Sequence, residues 1–227
     1  DSNSNKVVIV YRDDGNSSRG TAIVGTVSGT NISFGSEVVF DQLRSDGNVA
    51  TFDSNSNKVV VAYQDPNNTD AAQAIVGTVS GTSISFGTAV VIDTSASNFF
   101  AATFDSNSNK VLVSYIDAGN SNYGTSVFGT VSGTSISFGT PLVFNSASTV
   151  NGYLNSTFDS NSNAIVVSFR NSGSSSYGTS VVFQASSTNL TAENYIGIST
   201  GGTYASGSNA TVKIIGNTSN EQTSLTA

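Results

Sequence analysis

Residues 51–59 read Thr-Phe-Asp-Ser-Asn-Ser-Asn-Lys-Val, and the Asp-Ser-Asn-Ser-Asn part of this stretch occurs four times in the chain. The copies lie 52, 52 and 54 residues apart and start at Asp1, Asp53, Asp105 and Asp159. A second string, Gly-Thr-Val-Ser-Gly-Thr, is followed each time by an Ile-Ser-Phe-Gly segment and starts at Gly25, Gly77 and Gly129. The chain is therefore a tandem repeat, and one copy predicts the structure of the others.

Each copy predicts four antiparallel strands. In the second copy they are Asn48–Phe52, Lys58–Tyr63, Ala74–Val79, and Ser83–Phe86 continued after Gly87 by Ala89–Ile92. The second strand is almost entirely apolar, which is typical of a strand buried on both faces. The fourth alternates apolar and polar residues around a glycine, which indicates an outer strand with a bulge. No segment keeps a 3.6-residue apolar period, so we expect an all-β protein.

Four strands in about 50 residues, repeated in tandem, are typical of a β-propeller blade. We predict a propeller of four blades with a period of about 52 residues, or of five blades if the tail folds as a blade of its own or a partner chain completes one. The repeats cover residues 1–186, with copies starting near 1, 51, 103 and 157, and a divergent β segment covers 187–227. The first copy lacks a first strand, so the C-terminal segment or a partner chain would close the ring. A β-solenoid and a string of small sandwiches are the alternatives.

The composition excludes several classes of function. Charged residues make up 10% of the chain, against about 25% in a typical domain, and Cys, His, Met and Trp are absent. Without Cys and His there is no disulfide, no ordinary zinc or haem site and no Ser-His-Asp triad. The net charge of -7 argues against nucleic-acid binding, and no apolar run is long enough for a membrane helix. The missing Met indicates a mature fragment or an excised piece.

The repeated turn offers a weak calcium candidate. Asp53, Asn55 and Asn57 match the first half of an oxygen-ligand loop, but Lys58 stands where such a loop needs glycine. The favoured interpretation is a hairpin turn in which Asp and Asn accept backbone hydrogen bonds. A hydrolase would need paired carboxylates that break the repeat pattern, and we see none. We therefore expect no enzyme and no cofactor.

The copies differ mainly in two sets of predicted loops. Loops between the second and third strands cover residues 13–20, 65–72, 117–124 and 171–178, and loops leading to the next copy cover 41–48, 93–100 and 145–155. Because strands alternate in direction, both sets should emerge at one end of the sheets. Arginine and aromatic residues there suit recognition, and the candidate ligand-binding residues are Arg19, Arg44, Phe99, Phe100, Tyr123, Tyr153 and Tyr177. The alternative is neutral drift, with one of the two adjacent phenylalanines buried at the start of a strand.

The repeat Thr-Phe-Asp-Ser-Asn-Ser-Asn-Lys-Val, with Gly-Thr-Val-Ser-Gly-Thr-Ser-Ile-Ser-Phe-Gly, resembles tandem repeats of tail-fibre-like proteins of marine bacteriophages. The resemblance covers residues 1 to about 186, and the tail from Asn194 to Thr226 looks like the segment that follows those repeats. It implies an extracellular or virion-surface protein that attaches to a host or to glycans. It supplies no catalytic residues.

These observations lead to two expectations for function. The first is an adhesion module that binds a cell-surface glycan or protein through the variable loops. The second is a structural segment of a surface fibre or filament, which has no ligand and joins copies of itself by strand exchange.

Overall fold

The computed structural model describes residues 1–185, 197–199, 209–214 and 222–226. The described residues form antiparallel strands and three short 3-10 turns, with no α-helix among them. The expectation of an all-β protein is confirmed. The chain divides into a unit of residues 1–182 and a unit of residues 183–227, and among the described residues no helix is long and apolar enough to cross a membrane.

The first unit contains four antiparallel sheets, one for each copy of the repeat. Sheet 1 consists of β1 (Val7–Asp13), β2 (Arg19–Ser28), β3 (Asn31–Phe34) and β4 (Val38–Arg44). Sheet 2 consists of β5 (Asp46–Asp53), β6 (Lys58–Asp65), β7 (Ala71–Ser80), β8 (Ser83–Phe86) and the first half of β9 (Val90–Asp105).

Sheets 3 and 4 repeat this order with fewer strands at the end of the series. Sheet 3 takes the second half of β9 and adds β10 (Lys110–Asp117), β11 (Tyr123–Ser132), β12 (Ser135–Phe138) and the first half of β13 (Leu142–Asp159). Sheet 4 takes the second half of β13 and adds β14 (Ala164–Asn171) and β15 (Tyr177–Phe183). In the second unit, β16 (Gly197–Ser199), β17 (Asn209–Ile214) and β18 (Gln222–Thr226) form a three-stranded sheet.

The outer strand of each complete sheet is interrupted at a glycine, as predicted. β7 pairs with β8 through Gly77–Ser80 and with β9 through Ala71–Ala74. Between the two, Gly87 donates its N–H to the carbonyl oxygen of Val76. A Cβ at Gly87 would overlap the carbonyl oxygen of Thr134 in the hairpin of sheet 3. The glycine is needed because the next sheet approaches the backbone at this point.

The sheets pack face to face, so sheet 2 is covered on both sides. Val59 and Val61 of β6 pack in one cluster with Val24 of sheet 1. Val60, on the opposite face of the same strand, packs in another cluster with Val113 of sheet 3. All three β6 valines are at most 3% exposed. This burial on both faces explains why β6 has no alternation of apolar and polar residues.

The prediction of loops between consecutive sheets is wrong, because the chain crosses from one sheet to the next in extended conformation. Residues 93–100 belong to the 16-residue strand β9, and 145–155 belong to β13. Ala96 pairs with Ala71 in sheet 2, and the next residue, Ser97, already pairs with Asp117 in sheet 3. Pairing on alternate sides holds the segment extended, and a bulge at Phe99, with φ of 51°, redirects it.

The tyrosines of sheets 2 and 3 reach back to an aspartate of the sheet before. The Tyr115 hydroxyl donates to Asp93 Oδ2 at 3.1 Å. The Tyr63 hydroxyl donates to Gln73 Oε1 at 3.2 Å, and the nearby charge of Asp41, after burial, raises the pKa of Tyr63. Burial, and after it the charge of Asp93, raise the pKa of Tyr115. In the fourth copy both partners are replaced together, by Phe169 and Asn145. The pair therefore acts as a unit between sheets.

No sheet of the described residues closes on itself into a ring or barrel. The outer strand of one sheet leads into the first strand of the next, which is the connection of consecutive propeller blades. Closure of the series into a propeller stays a prediction.

The tyrosine–aspartate pair can be tested by a double-mutant cycle. We expect Tyr115→Phe to lower the free energy of unfolding by about 1–3 kcal/mol, because it leaves a charged acceptor without its donor. Asp93→Asn should also destabilise, and the double variant should cost less than the sum of the two. Urea unfolding measures all three. Tyr11→Phe is the control, since Tyr11 donates to the exposed Glu37 within sheet 1. Additive costs would contradict the pairing.

Candidate functional site

The loops between the second and third strands share one backbone conformation. Each begins with an Asp or Asn whose side chain caps the turn: Asp13 Oδ1 accepts from the N–H of Gly15, and Asn171 Oδ1 from the N–H of Gly173, both at 3.0 Å. Each ends with two consecutive non-glycine residues at positive φ, namely Ser17 and Ser18, Thr69 and Asp70, Ser121 and Asn122, and Ser175 and Ser176. Such pairs are uncommon, so the shared conformation is specific, although the side chains differ.

These loops and the crossings between sheets meet at one end of the sheets, which we call the loop end. The N–H of Ser45 donates to the carbonyl oxygen of Ser18 at 3.1 Å, and that of Ser97 to the carbonyl oxygen of Asp70 at 2.9 Å. Ser45 and Ser97 lie where the chain passes to the next sheet. The Asp-Ser-Asn-Ser-Asn turns and the Gly81-type hairpins lie at the opposite end of the strands.

The basic residues are divided between the two ends by type. All four arginines of the chain lie at the loop end of their strands: Arg12, Arg19, Arg44 and Arg170. Three of the four lysines follow the repeated turns at the other end: Lys6, Lys58 and Lys110. Arginine is the basic residue most used in recognition, because its planar group makes several directed hydrogen bonds.

An ion cluster joins sheet 1 to sheet 2 at the loop end. Arg12 contacts Asp14 at 2.7 Å and Asp46 at 2.5 Å, and Arg44 contacts Asp46 at 2.7 Å. Burial alone would raise the pKa of Asp46, but hydrogen bonds from Arg12 and Arg44 outweigh it and leave the pKa lowered. Sequence reasoning missed Arg12 and Asp46. A comparison of the copies could have identified Arg12, because the equivalent residue is Gln64 in the second copy and Ile116 in the third.

The predicted arginines have different surroundings. Arg19 is half-buried, and its guanidinium donates to the carbonyl oxygen of Gln42 and to Asn16 Oδ1. It therefore holds the loop together. The side chain of Arg44 is 54% exposed and forms an ion pair with Asp46. Arg44 is thus open to solvent at the loop end.

The predicted aromatic residues divide into exposed and buried ones. Tyr153 and Tyr177 are 63% and 69% exposed, and Tyr123 is half-buried. Phe99 is 36% exposed at the bulge, whereas Phe100 is 6% exposed and stacks on Tyr115 with ring centroids 6.2 Å apart. Phe100 is therefore a core residue and offers no surface to a ligand. This matches the alternative in which one of the two phenylalanines starts a buried strand.

A cleft of about 570 Å³ lies on sheet 4, lined by Tyr153, Leu154, Asn155, Ser168, Phe169, Arg170, Ser176 and Gly178. The guanidinium carbon of Arg170 lies 5.8 Å from the centre of the Tyr153 ring, a cation–π distance. The floor of the cleft is open at Gly178, because no atom lies within 4 Å of the place where a Cβ would be. At the equivalent glycine of sheet 3, Gly124, the ring of Phe144 fills this space. The cleft is thus a packing position of the repeat that the described residues leave unfilled.

The weak calcium candidate has the geometry of the hairpin turn. Asp53 Oδ1 accepts from the N–H groups of Asn55 and Ser56 at 2.9 and 3.0 Å, and Oδ2 accepts from Ser56 Oγ at 2.7 Å. Asn57 has φ of 54°. Both carboxylate oxygens are therefore engaged within the turn. No group of three or more His, Cys, Asp or Glu residues that could hold a metal ion occurs in the part of the chain that the structure describes.

The ion cluster predicts a pH-dependent contribution to stability. The pKa of Asp46 is lowered by folding, so its contribution is present above the unfolded value near 3.9 and is lost as the pH falls through the folded value. Since both arginines are substantially exposed, we expect Asp46→Asn to cost no more than about 1 kcal/mol at neutral pH. The cost should vanish at low pH and shrink in high salt. Urea unfolding of both proteins across this pH range measures it, and a constant cost would contradict the prediction.

No protein-family model and no curated protein matches the sequence.

Proposed function

We propose that this chain is an extracellular or virion-surface recognition module whose loop end binds a cell-surface glycan. The observation that carries the proposal is the constant backbone of the four loops, which presents a different set of side chains in each sheet. A rigid scaffold with varied loop side chains is the usual arrangement of a binding surface. The restriction of all four arginines to this end supports the same function.

The exposed side chains suit a saccharide. The rings of Tyr153 and Tyr177 offer apolar faces for the C–H groups of a sugar, and their hydroxyls are free to meet water or ligand. Arg170, beside Tyr153, adds donors for sugar hydroxyls, and Asn155 adds both a donor and an acceptor. These four residues lie within sheet 4.

For the architecture we propose a propeller-type arrangement. The support for it is the four-stranded meander of each complete copy, the face-to-face packing of consecutive sheets, and the outer-to-inner connection between them. The contact that completes the ring would come from the C-terminal segment or from a partner chain.

A second candidate function is the structural segment of a surface fibre. The observation that favours it is the free edge of β1, which pairs with β2 on one side and has no paired strand on the other among the described residues. In sheet 2 the corresponding strand, β6, pairs on both sides. A free edge can accept a donated strand from another copy.

The two functions are separated by a binding measurement on a glycan array that carries neutral and acidic saccharides. If the loop end is the binding surface, the protein binds a defined group of saccharides, and the double variant Tyr153→Ala, Tyr177→Ala loses at least ~10-fold in affinity, equal to about 1.4 kcal/mol. The control double variant is Val91→Ala, Val143→Ala, which truncates two exposed residues of outer strands. Absence of any binding, or full retention by the tyrosine variant with an unchanged melting temperature, would support the structural segment instead.

A further inference from the structure

Among the residues that the structure describes, none covers one apolar face of sheet 1. Its other face packs on sheet 2 through Val8, Val10, Ala22 and Val24. The uncovered face carries five large apolar residues that are 39–55% exposed: Val7, Ile9, Val27, Ile32 and Phe34. They lie on the neighbouring strands β1, β2 and β3. Val27 of β2 pairs with Ile32 of β3, and Gly25 of β2 pairs with Phe34 of β3 on one side and with Val7 of β1 on the other. A continuous apolar patch of this kind marks an interaction surface.

The same positions are covered in the next two sheets. In sheet 2 they are Val59, Val61, Val79, Ile84 and Phe86, and in sheet 3 they are Val111, Val113, Val131, Ile136 and Phe138. Val61 and Val113 are 0% exposed, and Ile84 and Ile136 are 3% exposed. In each case the sheet before it supplies the cover. The free face of sheet 1, which we call the large-residue face, therefore has the side chains of an interface that the chain makes repeatedly.

The first two strands that supply the cover carry small residues in sheets 1 and 2, whereas the same positions of sheet 3 include Leu112 and Phe128. Sheet 2 covers sheet 3 with its small-residue face, which consists of Val60, Ala62, Ala72, Ala74 and Val76. The corresponding face of sheet 4 has the same character, with Val166, Ser168, Gly178, Ser180 and Val182. Four of these, Ser168, Gly178, Ser180 and Val182, are exposed. Sheet 4 thus carries a free small-residue face that matches the free large-residue face of sheet 1.

The two serines on sheet 4 do not prevent burial. In sheet 3 the equivalent Ser114 and Ser126 are 0% exposed and hydrogen-bond to each other at 2.7 Å. Ser168 and Ser180 make the same bond at 2.9 Å on the free face of sheet 4. Because each hydroxyl already has its partner, a sheet can cover the pair without leaving a buried polar group unsatisfied.

We propose that a second copy of this chain docks here, with the small-residue face of its sheet 4 on the large-residue face of sheet 1. The contact is head-to-tail, because it joins two different faces. In a pair of copies, one copy keeps a free sheet 1 face and the other keeps a free sheet 4 face. It continues, between chains, the packing that joins sheet 1 to sheet 2 and sheet 2 to sheet 3 within the chain. It uses sheet faces rather than an exchanged strand, and it takes the place of ring closure by the C-terminal segment, which would need the same faces. Ser168 and Gly178 also line the cleft on sheet 4, so docking and a ligand in that part of the cleft exclude each other.

The first measurement is the molar mass by size-exclusion chromatography with light scattering at increasing protein concentration. The wild-type protein should rise above the monomer mass. Ile9→Glu and Val182→Glu each place a charge on one of the two faces, at side chains 39% and 63% exposed in the single copy. Each variant should stay monomeric on its own with an unchanged melting temperature. Val91→Glu, at a 42% exposed residue of an outer strand, is the control and should associate like the wild type.

The decisive measurement mixes the two variants. The Ile9→Glu protein keeps an intact sheet 4 face, and the Val182→Glu protein keeps an intact sheet 1 face. An equimolar mixture should therefore form a one-to-one dimer that grows no further. A wild-type protein that stays monomeric at every concentration would overturn the proposal. So would association of either variant alone, or a mixture that remains monomeric while the wild type associates.

Discussion

The structure depends on one constraint, that the second strands of sheets 2 and 3 are covered on both faces. The run Val59-Val60-Val61-Ala62-Tyr63 is at most 3% exposed along its whole length, and no single sheet of about 50 residues can supply that cover by itself. Each of these two sheets therefore lies between two others. The face-to-face packing, the close approach at Gly87 and the hydrogen bond from Tyr115 to Asp93 all follow from this need.

The same requirement explains which residues the copies share. At the interfaces between sheets 1 and 2 and between sheets 2 and 3, the later sheet contributes larger residues and the earlier sheet smaller ones, so sheet 2 carries both halves of one interface. A substitution on one side of the interface therefore requires a compensating substitution on the other side. In the fourth copy Phe169 stands in place of the tyrosine and Asn145 in place of the aspartate, which preserves the match without a charge. At the loop end, sheets 1 and 2 are joined by the ion pairs of Arg12 and Arg44 with Asp46, while the exposed side chains there differ between the copies.

Local features were predictable from the sequence, and long-range features were not. The repeated turn and the apolar second strand follow from a few adjacent residues, such as Asp53 with Ser56, and the structure has both. The extended crossing at 93–100 depends on pairing first with Ala71 and then with Asp117, which sequence spacing does not reveal. The contact of Arg12 with Asp46 joins residues 34 positions apart, and the burial of Phe100 depends on Tyr115 of a neighbouring strand. Comparison of the copies located aromatic residues near the loop end, but the packing of the folded chain decides which of them are exposed to solvent.

Packing and the proposed recognition use separate surfaces apart from the cleft on sheet 4, and this arrangement has a consequence for binding strength. The large-residue and small-residue faces lie on the sides of the sheets, whereas the loops lie at their ends, so stacking of copies would repeat the loop end at regular intervals. A saccharide site built from two exposed tyrosines and an arginine is weak by itself, because such side chains are ordered only on binding. Several such sites on one rigid assembly act on a surface of repeated glycans as a multivalent binder, with an avidity that exceeds the affinity of each site. In the proposed function, the constant interface would set the number of sites and the variable end would set their chemistry.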